Sequence, residues 1–228
     1  MLDAIKLHQS TKLNPQAIVC MDGRIRPNGL ERPFLGLAGS GVLFSDAQIT
    51  KFKQNLLNHG VNPATLTVTW HEHCGACAVY KERTGDKRSQ DEIAQWSAQK
   101  LADGIGSTMP VKSIGWSEDY DYKANGDPHK HSEPCIVIDY TGKLDTKAAA
   151  VDDSFLLSHA YAPDAEWQKE ELEIALSIAM GDHGPGLEHF TANPMPVYLI
   201  GADLDKHEET LQPVLEKFPA AELTKINL

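Results

Sequence analysis

Two short apolar runs with an amphipathic helix between them constrain this chain more than any other feature. Gln16-Ala-Ile-Val-Cys20 and Thr65-Leu-Thr-Val-Thr-Trp70 read as buried strands. Between them Ser45-Asp-Ala-Gln48 has the spacing of a capping box, and Ile49, Phe52, Leu56 and Leu57 then share one helical face until Gly60. Strand, helix, strand is the right-handed crossover unit of a parallel sheet. The first strand opens into Met21-Asp22-Gly23-Arg24 and the second into His71-Glu72-His73-Cys74-Gly75-Ala76-Cys77. Chemically capable residues therefore emerge from the carboxyl ends of two strands of one sheet, where α/β proteins place their sites.

The rest of the chain keeps the same alternation. Further strands are expected at Pro110–Trp116, Cys135–Tyr140 and Pro196–Gly201, with an edge strand at Glu222–Asn227. A helix starting at Gly75 or Ala76 would put Cys74 at a helix N-terminus, where the dipole favours a thiolate. Ser89 with Glu92 opens another helix, with Ile93, Trp96 and Leu101 inward and Gly104 as its end. Asp164 opens a third strong pattern, with Trp167, Leu172, Ala175, Leu176 and Ala179 inward until Gly181, and Asp205, with Glu208 three residues on, opens a helix to Phe218. Met21–Arg32, Ser117–Pro134 and Gly181–His189 read as loops, and the glycines of Phe34–Phe44 allow close backbone approach. The expectation is one α/β domain over 1–228 without an internal repeat, its mostly parallel central sheet flanked by helices.

Composition removes several classes of function. The net charge is −11 and no run of Lys or Arg stands out, so nucleic acid and anionic membrane are poor partners. No apolar run approaches membrane-helix length, and the start, Met1-Leu-Asp-Ala-Ile-Lys-Leu-His-Gln-Ser10, lacks a signal-peptide core. The expected location is cytoplasmic. In a reducing compartment four cysteines serve as ligands, nucleophiles or core thiols rather than as a disulfide framework.

Cys20, with His71 and Cys74 three residues apart, supplies two thiolates and an imidazole and leaves a tetrahedral metal one position short. That is the pattern of a catalytic zinc site. Such a centre has formal charge +2 −1 −1 = 0, so it needs help to deprotonate water near neutrality. Asp22 stands two residues beyond Cys20 as a hydrogen-bond acceptor for that water, and Arg24, two further on, can hold the carboxylate with two prongs.

Cys20-Met-Asp22-Gly-Arg24 followed by His71-Glu-His-Cys74-Gly75 resembles the β-class carbonic anhydrases, whose signature is Cys-x-Asp-x-Arg and then His-x-x-Cys-Gly. The resemblance covers roughly residues 15 to 80 and extends faintly to 144. It implies a β-carbonic anhydrase-like core over 15–144, with residues 145–228 unassigned. It further implies Zn²⁺ on Cys20, His71 and Cys74, an Asp22/Arg24 catalytic dyad, and reversible hydration of CO₂ to bicarbonate in a homodimer or larger homo-oligomer, with the site near the subunit interface. The family includes members whose dyad aspartate moves onto the metal and closes the site. Gly36-Leu-Ala-Gly-Ser-Gly41 stands where the family usually carries an Arg-Asn-Ala-Gly type sequence. A weaker similarity to the cadmium-type carbonic anhydrases makes Cd²⁺ a substitute metal. On the same scaffold, hydrolysis of the sulfur analogues carbonyl sulfide or carbon disulfide needs the same nucleophile.

Other readings compete residue by residue. His73 is the alternative to His71; alternate residues point oppositely, and the family spacing selects His71, leaving His73 for the surroundings of the site. Cys74 and Cys77 form a Cys-x-x-Cys that on its own points to a thiol redox protein, with Cys77 otherwise a helix-face thiol. Cys135 reads as core, and His129, His131, His183 and His189 as solvated loop residues, with His183 and His189 available as a lid. A non-catalytic zinc protein of the same fold is the remaining alternative.

Overall fold

The computed structural model describes residues 14–25, 34–115, 134–142, 154–182 and 184–227. Loop 117–134, His129, His131, His183 and Trp116 lie wholly or mostly outside them. The first half runs β1 (Ala17–Cys20), β2 (Phe34–Leu37), α1 (Asp46–Asn58), β3 (Thr67–Trp70), α2 (Gly75–Thr84), α3 (Gln90–Ile105) and β4 (Lys112–Ser113). The second runs β5 (Ile136–Asp139), β6 (Phe155–Leu157), α4 (Ala165–Met180), β7 (Met195–Gly201), α5 (Leu204–Leu215) and β8 (Ala221–Asn227).

These strands form two four-stranded sheets, ordered β2-β1-β3-β4 and β6-β5-β7-β8, with every strand pair parallel. The α/β class expected from the sequence is present, but as two sheets rather than one central sheet. Their wiring is identical: in each, the first strand lies between the second and the third. Ala17 pairs with Phe34 and Thr67, and Ile136 pairs with Phe155 and Val197, so the two sheets share a register as well as an order. The repeat is one of connectivity. The equivalent residues differ too much in chemistry to show in the sequence.

The sheets meet along β2 and β6. Leu156 N–H donates to Met21 O at 2.8 Å, Ser158 N–H to Gly36 O at 3.0 Å, and Gly23 N–H to Ser154 O at 2.8 Å. Gly36 is where backbones come closest: a Cβ there would lie 2.1 Å from Leu156 O. The expected close approach in the glycine-rich stretch is this junction, and Phe34–Leu37, for which the sequence pattern predicts no element, is a strand.

The five α-helices among the described residues bury apolar side chains in one core cluster, together with Ile18, Leu35, Leu37 and Val68 of the first sheet and Ile136, Ile138, Phe155 and Val197 of the second. That core is continuous across the two halves. Phe44 stacks on Trp167 at 4.9 Å, joining the turn before α1 to α4. Burying side chains of this kind contributes about 1.5–3 kcal/mol each. The opposite sheet faces carry smaller clusters, Ala17, Val19 and Phe34 on one sheet and Cys135, Val137, Leu156, Tyr198 and Ile200 on the other.

Local rules set the helix starts. Ser45 with Gln48 and Ser89 with Glu92 both form complete capping boxes, and Asp164 accepts from Trp167 N–H. Three expectations need correction. Leu57 and Trp96, read as inward, are exposed, and the ring of Trp96 lies under the Arg88 guanidinium at 4.0 Å. The helix read to Gly104 ends at Ile105, capped by Gly106 at φ 76°. The last long helix starts at Leu204 after Asp203, which sits in the left-handed region and makes no side-chain cap, so Asp205 lies in its first turn.

Candidate metal centre

Parallel strands with the first in the middle leave a crevice at the carboxyl ends of the first and third, where the connections depart in opposite directions. In the first half those strands are β1 and β3. Cys20 is the last residue of β1, His71 follows β3 directly, and Cys74 caps α2. Their ligand atoms, two sulfurs and a ring nitrogen, all lie within 4.8 Å of one another, and all three residues are buried. The sulfurs are 3.7 Å apart. This buried group can hold a metal ion, and among the described residues no other such group of three or more His, Cys, Asp or Glu occurs.

The imidazole is oriented for coordination. His71 Nδ1 lies 2.8 Å from the carbonyl of Glu72, which fixes the proton on that nitrogen and leaves Nε2 with its lone pair. Nε2 is buried without a hydrogen-bond partner. Only a few buried polar atoms in a folded protein are left so, and an ion between Nε2 and the sulfurs would satisfy it. His73 turns away. Its φ of 57° is left-handed, its amide donates to Asp91 Oδ1 at 2.9 Å, and the residue is exposed. Of the two histidines, His71, the one that the family spacing selects, is the buried one in the converging group.

Without an ion the site favours protons. The hydrogen bond to Cys74 and then burial push the Cys20 thiol well above its ordinary pKa, with His71 working against them. At Cys74 the bond with Cys20 lowers the pKa, but Cys77, as hydrogen-bond partner and as charge, and burial together drive it well up. Burial works against a charged His71, yet the Cys20 thiolate and, beyond it, Asp22 outweigh burial and raise its pKa. Protons held among these three coupled, buried donors are what a divalent cation would displace on binding. Cys77 is fully buried one turn into α2; a Cβ on Gly39 would lie 3.0 Å from its sulfur. It belongs to the core cluster, as the helix-face reading expects, and it is not one of the three converging donors.

Asp22 and Arg24 form the two-pronged pair the spacing implies. Arg24 Nη2 donates to Oδ2 at 2.7 Å, and its Nε and backbone N–H both donate to Oδ1 at 3.0 Å. Arg24 is only 4% exposed and Asp22 12%. Both carboxylate oxygens are engaged, and Asp22 is not within the converging group. A cavity of about 10 Å³, the scale of one water, lies between Cys20, Asp22, Gly23, Phe34, Gly36 and Leu156.

Sequence reasoning missed a buried polar chain in the second half. Glu171 Oε1 accepts from Ala38 N–H at 2.6 Å, its Oε2 lies 3.0 Å from His159 Nε2, and His159 Nδ1 lies 3.3 Å from the Tyr140 hydroxyl. Burial raises the Glu171 pKa, against the pull of His159. The signal was present: Glu171 stands midway between Trp167 and Ala175 on the face already read as inward. His189 is exposed beside Phe190, though in a short 3-10 helix, Leu187–Thr191, rather than in the expected loop, and Cys135 packs in the smaller core cluster. None of the described helices is long and apolar enough to cross a membrane. Comparison with known protein families, curated proteins and solved structures finds no match to this chain.

Proposed function

We propose that this chain is a zinc-dependent hydratase that converts CO₂ and water reversibly to bicarbonate, with zinc on Cys20, His71 and Cys74 and Asp22 as proton acceptor. One observation carries the reading: two sulfurs and an orphaned, correctly polarised Nε2 converge at the crevice between β1 and β3, with a clamped carboxylate two residues from one ligand. Two thiolates at about 2.3 Å on a tetrahedral ion stand about 3.8 Å apart, against the 3.7 Å found here. Zinc bound there with an open position supplies a Lewis acid that makes water nucleophilic near neutral pH.

The chain's own residues do the rest. His71 Nδ1–H held by Glu72 O keeps the ring in one tautomer. Arg24 holds the Asp22 carboxylate with two prongs, in the role of proton acceptor that this reading gives it. Burial of the three ligands and of Arg24 limits the access of bulk water, which strengthens each of these interactions. The soluble cytoplasmic setting and a substrate as small as CO₂ or its sulfur analogues belong to the same proposal.

The test is a pair of assays on zinc-loaded protein: CO₂ hydration followed by proton release, and sulfide release from carbonyl sulfide or carbon disulfide. Hydration that exceeds sulfide release supports the proposal. Sulfide release without hydration would replace the substrate, and activity in neither assay would leave a metal-binding fold without this reaction.

A further inference from the structure

We infer that the second half is a metal-free replica of the first, retained as a built-in partner whose strand β6 positions the Asp22–Arg24 turn beside the metal site. The inference rests on the hydratase reading for the role of that turn, and on its own observations for the rest.

The matching registers assign each metal position a counterpart. Counting from the row Ala17, Phe34, Thr67 and the row Ile136, Phe155, Val197, Cys20 corresponds to Asp139, His71 to Gly201 and Cys74 to Leu204. None of the three is a soft donor. Asp139 Oδ1 already accepts from Thr141 N–H at 2.7 Å, Thr141 Oγ1 at 2.6 Å and Gly142 N–H at 3.2 Å. At the end of β5 the chain makes a turn, and among the described residues the positions that correspond to the three donors of the first crevice carry none of them.

What the replica does is visible at its edge. Phe155 N–H bonds inward to Cys135 O at 2.8 Å, so the next amide, Leu156 N–H, points outward, and it donates to Met21 O. On the other side of Asp22, Gly23 N–H donates to Ser154 O. Asp22 itself makes an antiparallel bridge with Phe155. The residue that carries the carboxylate is thus held between two backbone bonds from the other half. Ser158 adds a second pair of bonds, through N–H to Gly36 O and Oγ from Gly36 N–H. Glu171 holds Ala38 N–H on the far side of β2, and Ile178 of α4 lies against Gly75 at the start of the Cys74 helix. The outer edge of β2 is thus engaged within one chain at Gly36.

Leu156→Pro removes one donor, the N–H to Met21, without touching the bonds from β6 to β5. Leu156→Ala keeps that donor and removes the same side chain, so the difference between the two variants reads the β6 backbone contact with Met21: the lost bond together with the proline ring that takes the place of its hydrogen. The expected result is that both bind one zinc per chain, and that Leu156→Pro lowers kcat about tenfold to hundredfold relative to Leu156→Ala with little change in KM. The visible absorption of the cobalt-substituted protein, which needs no turnover, should differ between the two variants because the groups beside the ion have moved. Equal kcat and equal cobalt spectra would overturn the positioning role, and two metals per chain in the wild type would overturn the metal-free replica. If Leu156→Pro does not fold, Gly36→Ala decides, since its Cβ meets Leu156 O: one zinc retained with an altered cobalt spectrum supports the inference, and an unchanged spectrum defeats it. Failure of wild-type activity would defeat the hydratase reading and leave the spectra to judge this one.

Discussion

At the end of β1 the chain places Cys20, buried and 3.7 Å from a second sulfur; at the same row of the second sheet it places Asp139, its Oδ1 taken by Thr141 and Gly142. After β3 comes a histidine with an unsatisfied ring nitrogen, and at its counterpart stands Gly201, the last residue of β7, shortly before α5. The two halves share strand order and register, so the backbone supplies the crevice in both and the side chains decide what it does. A parallel sheet with its first strand in the middle offers a place for a site. Only the donor set makes it one.

The largest effect that separates the halves falls on the dyad. Asp22→Ala should lower CO₂ hydration about 10²–10⁴-fold with zinc retained, whereas Thr141→Ala, at the corresponding position of the second half, should leave the rate near wild type. Kinetics on both zinc-loaded variants check this, and equal losses would erase the distinction.

Next comes the buried acid that ties the halves together. Glu171→Ala leaves Ala38 N–H and His159 without their partner and should cost about 1–3 kcal/mol, measured by denaturant unfolding. Glu171→Gln should behave differently. Burial raises the Glu171 pKa in the folded state, so the native protein holds this proton more tightly than the unfolded chain. The favourable contribution is present below the ordinary carboxylate pKa and is lost as pH rises through the raised value. Glutamine cannot titrate, so stability of Glu171→Gln should depend less on pH across that window, as unfolding at a series of pH values would show. The smallest effect belongs to the surface: Trp96→Ala removes a ring stacked under Arg88 and should cost about 0.5–1 kcal/mol.

Much of the first half was legible because its signals are local. Capping boxes at Ser45 and Ser89 need only residues three apart, and strands ending in Cys20 and Trp70 announce themselves by apolar runs. Cys20, Cys74 and the Asp22/Arg24 pair were readable as candidates from phase and spacing, His71 was chosen over His73 by the family resemblance, and the structure brings Cys20, His71 and Cys74 together. Trp96 was misread because an aromatic ring at helical spacing is satisfied equally well by a core or by a guanidinium lying over it. The doubled architecture was not legible at all. Connectivity leaves no mark on single residues, and the counterparts of Cys20, His71 and Cys74 are Asp139, Gly201 and Leu204. β6 is only three residues long, and its role lies in edge amides that bond to residues more than a hundred positions away. No window of sequence contains that pairing.

Metal analysis of the purified chain after loading with zinc and removal of the excess, beside Cys20→Ser and Cys74→Ser, tests the centre most directly. One zinc per wild-type chain, and a large loss in each variant while the fold persists by circular dichroism, is the expected result. Full zinc content in either variant, or none in the wild type, would contradict it.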